Sequence, residues 1–348
     1  LADTDVYENS NGIIDCFDDE NAIDPKKFLQ FNGDKVILTD LKKRNFTSGE
    51  TLAFKIKISD LGEKDVKTVD LTYSLIGEKN NVYATGEMKN LDVSENGLFT
   101  LCKARIKLPE VKSSERLTLK ITLKGINGIY AENEWNIWVY EKREALSYSK
   151  FINYENDDIT ITADINKAFS ELEKGKKVCL VYRSDFTRHV IRKDMKNPEY
   201  AFKASWNRFK PVIWDRGTNY GGLSDQNILN KYGFSTDGYY DYNLSVLSED
   251  CDKINLDDFP VKATNLISGI DKSCRDRFDA YKDCFNMPDL IYDRTLRNFS
   301  YMFEAAAGKG KLLVCGLNFT GLDENEPSTL CMANFIIDYL QSEEFNPA

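Results

Sequence analysis

Cys315 is the residue with the most obvious chemistry: it closes the apolar run Leu312–Cys315 and is followed at once by Gly316. A thiol at the end of a strand could serve a cysteine-dependent α/β hydrolase. Such a nucleophile needs an adjacent base, and a nucleophile elbow needs a helix directly after the turn. The residues that follow, Leu317-Asn318-Phe319-Thr320-Gly321, have no helical pattern, and the single histidine, His189, lies far back in the chain. A buried structural thiol is the preferred reading of Cys315. Gly308-Lys309-Gly310-Lys311 has the look of a phosphate loop but lacks the GxxxxGK[ST] spacing and opens a strand rather than a helix, so it reads as a hairpin turn with solvated lysines. Two acidic clusters, Asp15, Asp18, Asp19 and Glu20, then Asp257 and Asp258, do not follow the alternation of a calcium loop. Eight cysteines occur without a C-x-x-C pair, which points away from zinc. No catalytic residue, metal or cofactor is assigned.

A second kind of chemistry is suggested by Trp206, Trp214, Tyr220, Tyr239 and Tyr240, with Tyr242 nearby, set among Asn and Asp residues. Aromatic faces stack on the C–H faces of sugar rings while amides and carboxylates take directed hydrogen bonds from hydroxyls, so these are the candidate carbohydrate-binding residues. The plainer reading is that they pack loops onto a sheet or against a further domain, and that reading is preferred.

The charge balance limits the partners. Lys and Arg number 46 against 56 Asp and Glu, and a net charge of −10 repels phosphate backbones and anionic lipid. Nucleic acid and membranes are therefore not expected as partners. The longest apolar runs fall far short of the ~20 residues that span a bilayer. The cysteines sit mostly in apolar patterns, as buried free thiols do, which favours a reducing, cytoplasmic compartment, although Cys274 and Cys284 are close enough in sequence to pair if oxidised. The chain begins at Leu1 with no initiator Met and no basic-then-apolar leader, so it is expected to be either processed or cut from something longer, and the second is preferred.

Two patterns position these groups. From Leu52 to Tyr140 apolar residues alternate with polar ones: Leu52, Phe54, Ile56, Ile58; Val69, Leu71, Tyr73, Leu75; Cys102, Ala104, Ile106, Leu108; Leu117, Leu119, Ile121, Leu123. With Tyr83–Met88 and Trp135–Tyr140, about seven strands predict an immunoglobulin-like β-sandwich over residues 35–142, with a small barrel as the alternative. Trp135 and Trp138 fall on opposite faces of one strand, so at most one enters the sandwich core. Before the sandwich, Asp24-Pro25 predicts a short helix through Phe31 ended by Gly33, within a linker of residues 1–34. After it, Asp164 caps a helix carrying Ile165, Ala168, Phe169 and Leu172, Gly175 stops that helix, and a fully apolar strand Val178–Tyr182 follows. Phe299–Ala305 and Leu312–Leu317 form a hairpin, and a last helix starts near Pro327. Residues 143–348 thus predict an α/β domain with a mixed sheet, of flavodoxin-like or amidotransferase-like layering, whose middle, Arg183–Asp258, is mostly long loops.

Several stretches resemble the C-terminal region of glycoside hydrolase family 2 proteins of the β-galactosidase type. Gly12–Asp18 with Asp24–Asn32 is similar to the segment leaving their catalytic barrel, and Glu134–Tyr140 resembles the last strand of the sandwich that follows it. Phe209–Trp214, Leu256–Pro260, Gly308–Cys315 and Glu344–Pro347 match in order in the second part, while Asn227–Tyr240 and an insert near Cys274–Pro288 depart from it. The resemblance implies a bacterial accessory region acting in carbohydrate degradation. The barrel that carries that family's two catalytic glutamates is absent, since nothing here repeats strand and helix as it would require. Its expected partners are the missing barrel of the same polypeptide, a carbohydrate, or further copies in a homo-oligomer. An autonomous carbohydrate-binding module is the rival reading, and a cysteine-dependent α/β hydrolase the second.

Overall fold

The computed structural model describes residues 24–62, 66–182, 204–205, 221–223, 246, 251, 253–257, 259–269 and 298–347. The chain divides into two compact units, Leu1–Val139 and Tyr140–Ala348.

The first unit opens with helix α1 (Pro25–Asn32), where Asp24 Oδ1 accepts a hydrogen bond from Lys26 N at 2.8 Å. The proline costs nothing there because the first amides of a helix have no partner within it. Eight strands follow: β1 (Lys35–Thr39), β2 (Asn45–Thr47), β3 (Thr51–Asp60), β4 (Thr68–Gly77), β5 (Val82–Asp92), β6 (Gly97–Lys107), β7 (Glu115–Gly125) and β8 (Gly128–Tyr140). They form a three-stranded sheet in the order β1-β3-β6 and a five-stranded sheet in the order β2-β8-β7-β4-β5, with the β1–β3, β3–β6, β8–β7, β7–β4 and β4–β5 pairs antiparallel. This is the immunoglobulin-like sandwich that the period-two pattern predicts, because alternation puts one face of each strand into a shared interior. Ile37, Phe54, Ile56, Ile58 and Ile106 from one sheet meet Leu71, Leu75, Leu117, Leu119 and Ile121 from the other in one apolar cluster.

Two polar clamps cross that interior. Asn133 Nδ2 on β8 donates to the Ile37 carbonyl on β1 at 2.9 Å. Fully buried Asp60 accepts from the Tyr130 hydroxyl and from Gly62 N, while Lys35 Nζ lies 4.2 Å from the centre of the Tyr130 ring. Trp135 packs against the cluster from its edge; Trp138 is buried but lies outside it.

The second unit contains α2 (Tyr148–Phe151), β9 (Ile159–Thr162), α3 (Ile165–Glu173), β10 (Lys177–Val181), β11 (Ala204–Ser205), β12 (Gly221–Leu223), β13 (Lys253–Asn255), β14 (Ala263–Gly269), β15 (Phe299–Ala307), β16 (Gly310–Cys315) and α4 (Pro327–Gln341). The sheet is mixed. β10 pairs in parallel with both β9 and β16, and the remaining pairings are antiparallel, including the β15–β16 hairpin.

Local chemistry fixes the helix ends. Asp164 Oδ1 accepts from Asn166 N and Lys167 N at 2.8 and 3.2 Å, and Gly175, at φ +88°, takes the left-handed turn that stops α3. At α4, Glu326 Oε2 accepts from Thr329 N at 2.7 Å; at the far end Lys177 Nζ donates to the carbonyls of Leu340 and Ser342 at 2.8 and 3.2 Å. An ammonium there meets both the unpaired carbonyls and the negative end of the helix dipole.

Alternation along the strands assigns the two faces. Val178, Leu180, Phe303, Leu312 and Val314 pack with Ala168 and Leu172 of α3. Their neighbours Cys179, Val181, Glu304, Leu313 and Cys315 point the other way. On that side the Tyr339 hydroxyl of α4 donates to buried Glu304 at 2.7 Å. The Tyr339 ring stacks on Phe335 at 5.5 Å and meets Phe345 edge-on at 5.4 Å. Tyr339→Phe keeps both ring contacts and removes one hydrogen bond to a buried carboxylate, so it should lower unfolding stability by about 1–3 kcal/mol. The urea midpoint at neutral pH measures this, and the m-value should stay unchanged.

Candidate functional site

In open α/β sheets ligands gather outside the carboxyl ends of the strands. Here that edge is where the chain leaves β10 and where β16 ends. It is closed by main-chain bonds: Tyr182 N donates to the Cys315 carbonyl at 2.9 Å, Gly316 N to Tyr301 at 2.7 Å, and Asn318 N to Val246 at 2.9 Å. The Cys251 thiol donates to the same Val246 carbonyl at 2.7 Å. Cys315, Val246 and Tyr301 are almost wholly buried, and Cys251 is 5% exposed.

Burial sets the chemistry of these groups. It pushes the Cys315 thiol up to about 12, further helped by nearby Cys251 and opposed by a hydrogen bond from the Leu317 backbone. Burial likewise raises Cys179 well above the ordinary thiol range, with neighbouring Cys315 adding to the shift, and it raises the Tyr301 phenol. A thiol is nucleophilic as its thiolate, so Cys315 is held in its inert form at neutral pH. A disulfide is no closer. β10–β16 register sets Val181 opposite Cys315, which leaves Cys179 two residues along; strand spacing then separates the two Cα atoms by about 8 Å, beyond the ~7 Å that a bridge allows.

The other groups singled out in the sequence fall as follows. Trp206, Trp214, Tyr220, Tyr239, Tyr240 and Tyr242 lie outside the described residues, as do His189, Asp15, Asp18, Asp19, Glu20 and Asp258. β11 ends at Ser205 and β12 begins at Gly221, and both strands pair into the sheet. Gly308–Lys311 is the β15–β16 turn, with Gly308 at φ +60° and Ala307 opposite Gly310. Asp257 accepts from Asn298 N at 3.0 Å, a loop contact. Among the described residues no group of three or more His, Cys, Asp or Glu side chains is arranged to hold a metal ion.

Two features went unread in the sequence. A groove of about 450 Å³ opens at the amino ends of β9, β10 and β16, lined by Asp157, Asp158, Lys177, Lys309, Lys311 and Gln341 among others. Its charges are mixed, and Lys177 is already committed to the end of α4. An ion-pair network also ties α3 to the strand rims: Lys176 Nζ lies 3.0 Å from Glu171 and 3.2 Å from Glu155, Lys174 reaches Glu171 at 2.6 Å, and Lys167 reaches Glu155 at 2.9 Å. The Lys174 hydrogen bond, then that of Lys176, holds the Glu171 carboxyl below its usual range. Only the Glu171–Lys174 pair, three apart on a helix, had a sequence signal.

Two family models match parts of the chain, both described as domains of unknown function: DUF8488 over residues 50–141 and DUF8487 over residues 292–348. No curated protein sequence matches. Among solved structures the chain is similar to the CARDB domain of the PF1109 protein from Pyrococcus furiosus, at 8% identity and TM-score 0.24, covering 31% of this chain and 94% of that one. It is similar to the β-glucuronidase of Parabacteroides merdae at 14% identity and TM-score 0.22, covering 44% of this chain and 23% of that one. A cohesin module from a Clostridium perfringens family 33 glycoside hydrolase aligns at 11% identity and TM-score 0.22, covering 30% and 96%. The chain thus spans less than a quarter of the glucuronidase.

Buried thiols give a direct test. In the native protein at pH 8, iodoacetamide should leave Cys179 and Cys315 unlabelled, and both should react once guanidinium chloride unfolds the chain; peptide mass spectrometry reads each site. Because folding raises the Cys315 pKa to about 12, its contribution to stability is complete below the unfolded value of about 8.5 and is lost as pH rises from there towards 12, and Cys179, also raised, acts in the same direction. The denaturant midpoint should therefore fall above about pH 9, less steeply in Cys315→Ala.

Proposed function

We propose that this chain is the non-catalytic C-terminal accessory region of a bacterial β-galactosidase-like glycoside hydrolase, serving stability, assembly or the shape of the active-site cleft. One observation carries the reading: the stretches among the described residues that resemble that family coincide with, or directly follow, regular elements of the fold. Asp24–Asn32 is the capped helix α1, and Glu134–Tyr140 is the second half of β8, the last strand of the sandwich. Gly308–Cys315 supplies the turn and all of β16. Glu344–Pro347 follows α4, with Phe345 fully buried against Tyr339.

The chemistry of the described residues supports the same reading. Burial raises the thiols of Cys102, Cys179 and Cys315, and the buried carboxylates of Asp60, Glu171 and Glu304 are engaged in bonds that hold elements together. A missing catalytic barrel of the same polypeptide is the proposed principal partner.

The test compares the native gene product with this chain on aryl β-galactosides and related glycosides. An active longer product beside an inert 348-residue chain is the expected result. Cleavage by the 348-residue chain alone would sink the proposal.

A further inference from the structure

The two outer faces of the sandwich differ in charge. On the five-stranded sheet cations face acids: Lys120 lies 3.5 Å from Glu132, Arg116 lies 3.5 Å from Glu78, Lys89 lies 3.6 Å from Glu87, and the β4–β7 register sets Lys124 opposite Asp70. On the three-stranded sheet they do not. The β3–β6 register sets Thr51 opposite Lys107, Ala53 opposite Arg105, Lys55 opposite Lys103 and Lys57 opposite Thr100. Alternation turns this set outward, since Leu52, Phe54, Ile56, Ala104 and Ile106 point into the core.

Five cations therefore share one face of a sheet in a chain whose net charge is −10. Lys55, Lys103, Arg105 and Lys107 are exposed and Lys57 is half-buried. Among the described residues none of the five enters an ion pair. The nearest acid on β1 and its following turn is Asp40, whose carboxylate is taken up by the Lys55 backbone amide. Like charges directly opposite each other, as at Lys55 and Lys103, weaken strand pairing. An ordinary solvated face intersperses acids, as the other sheet does; this one leaves repulsion in place.

We propose that the outer face of the β1-β3-β6 sheet binds an extended polyuronate, a polysaccharide with one carboxylate per sugar ring. The choice of a polysaccharide among polyanions rests on the accessory-region reading above; the charge pattern supplies the rest. Same-face cations along a strand stand about 6.7 Å apart, so an extended chain lying along the strands meets a row of separate charges. The face also lacks an aromatic side chain on which bases could stack. Four lysines and one arginine act largely as point charges and need only a row of carboxylates running along the strands.

Affinity electrophoresis of the full chain through gels containing polygalacturonate tests this. At low ionic strength the chain should be retarded by polygalacturonate and not by neutral dextran, and high salt should abolish the retardation. The triple variant K55Q/K103Q/R105Q should bind at least about tenfold more weakly, while K120Q on the other sheet binds as the parent does. Loss of the like-charge pair should leave the melting temperature of the triple variant at or above that of the parent, which separates lost binding from lost fold. Absence of retardation, retardation unchanged in the triple variant, or equal or stronger binding to single-stranded DNA or phosphatidylserine vesicles would each overturn the proposal. If polygalacturonate is bound but the longer gene product cleaves no glycoside, the surface stands and the accessory-region reading fails; the reverse pair of results removes the surface alone.

Discussion

Burial of β10 and β16 on both faces is the constraint on which the second unit depends. A strand buried on both faces leaves little room for a free charge, so β10 is apolar after Lys177 and β16 after Lys311, each lysine standing at the start of its strand. Sulfur enters such a strand as a small hydrophobe. Cys179 and Cys315 belong to the packing, and the same burial that makes them useful there keeps them protonated. Polar groups are displaced to the rims, where Lys177, Lys176 and Glu171 bind helix ends and one another.

The sandwich solves a different problem. Each of its sheets buries one face, so every strand carries a second set of side chains that packing leaves undetermined. Core residues fix the register, and the Asn133–Ile37 and Tyr130–Asp60 bonds fix how one sheet lies on the other. The outward set is then free to carry charge, matched on one sheet and unmatched on the other. Information about partners is more readily found in such a set than among residues whose identity the core dictates.

What could be read from the sequence follows the same division. Strict alternation at Val69–Leu75 and Leu117–Leu123 made β4 and β7 plain, and Asp24, Asp164, Gly175 and Pro327 marked helix ends because their roles there are local. β2 has three residues and β1 has the unalternating run Val36-Ile37-Leu38, so neither shows a period, and the strand count is eight rather than about seven. β9 was missed because Thr160 and Thr162 make it look half-exposed, whereas all four of its residues are buried. Cys315 was legible as a buried thiol from the apolar run before it. Its neighbour Cys251 was not, since 64 residues separate them and only the folded sheet edge brings them together. The cationic face needed register as well as sequence: β3 and β6 each look like ordinary amphipathic strands until their outward residues are laid side by side.

Lys177 begins β10, yet the carbonyls it holds belong to residues 163 and 165 positions further along the chain. The sandwich, by contrast, has all its strands once β8 is made. On the ribosome, where domains form in order of emergence, the first unit can close while the second is still being synthesised. The α4 side of β10, including the Cys179 thiol, stays open to water throughout that interval, so the period of greatest risk from oxidants and from misplaced strands is during translation.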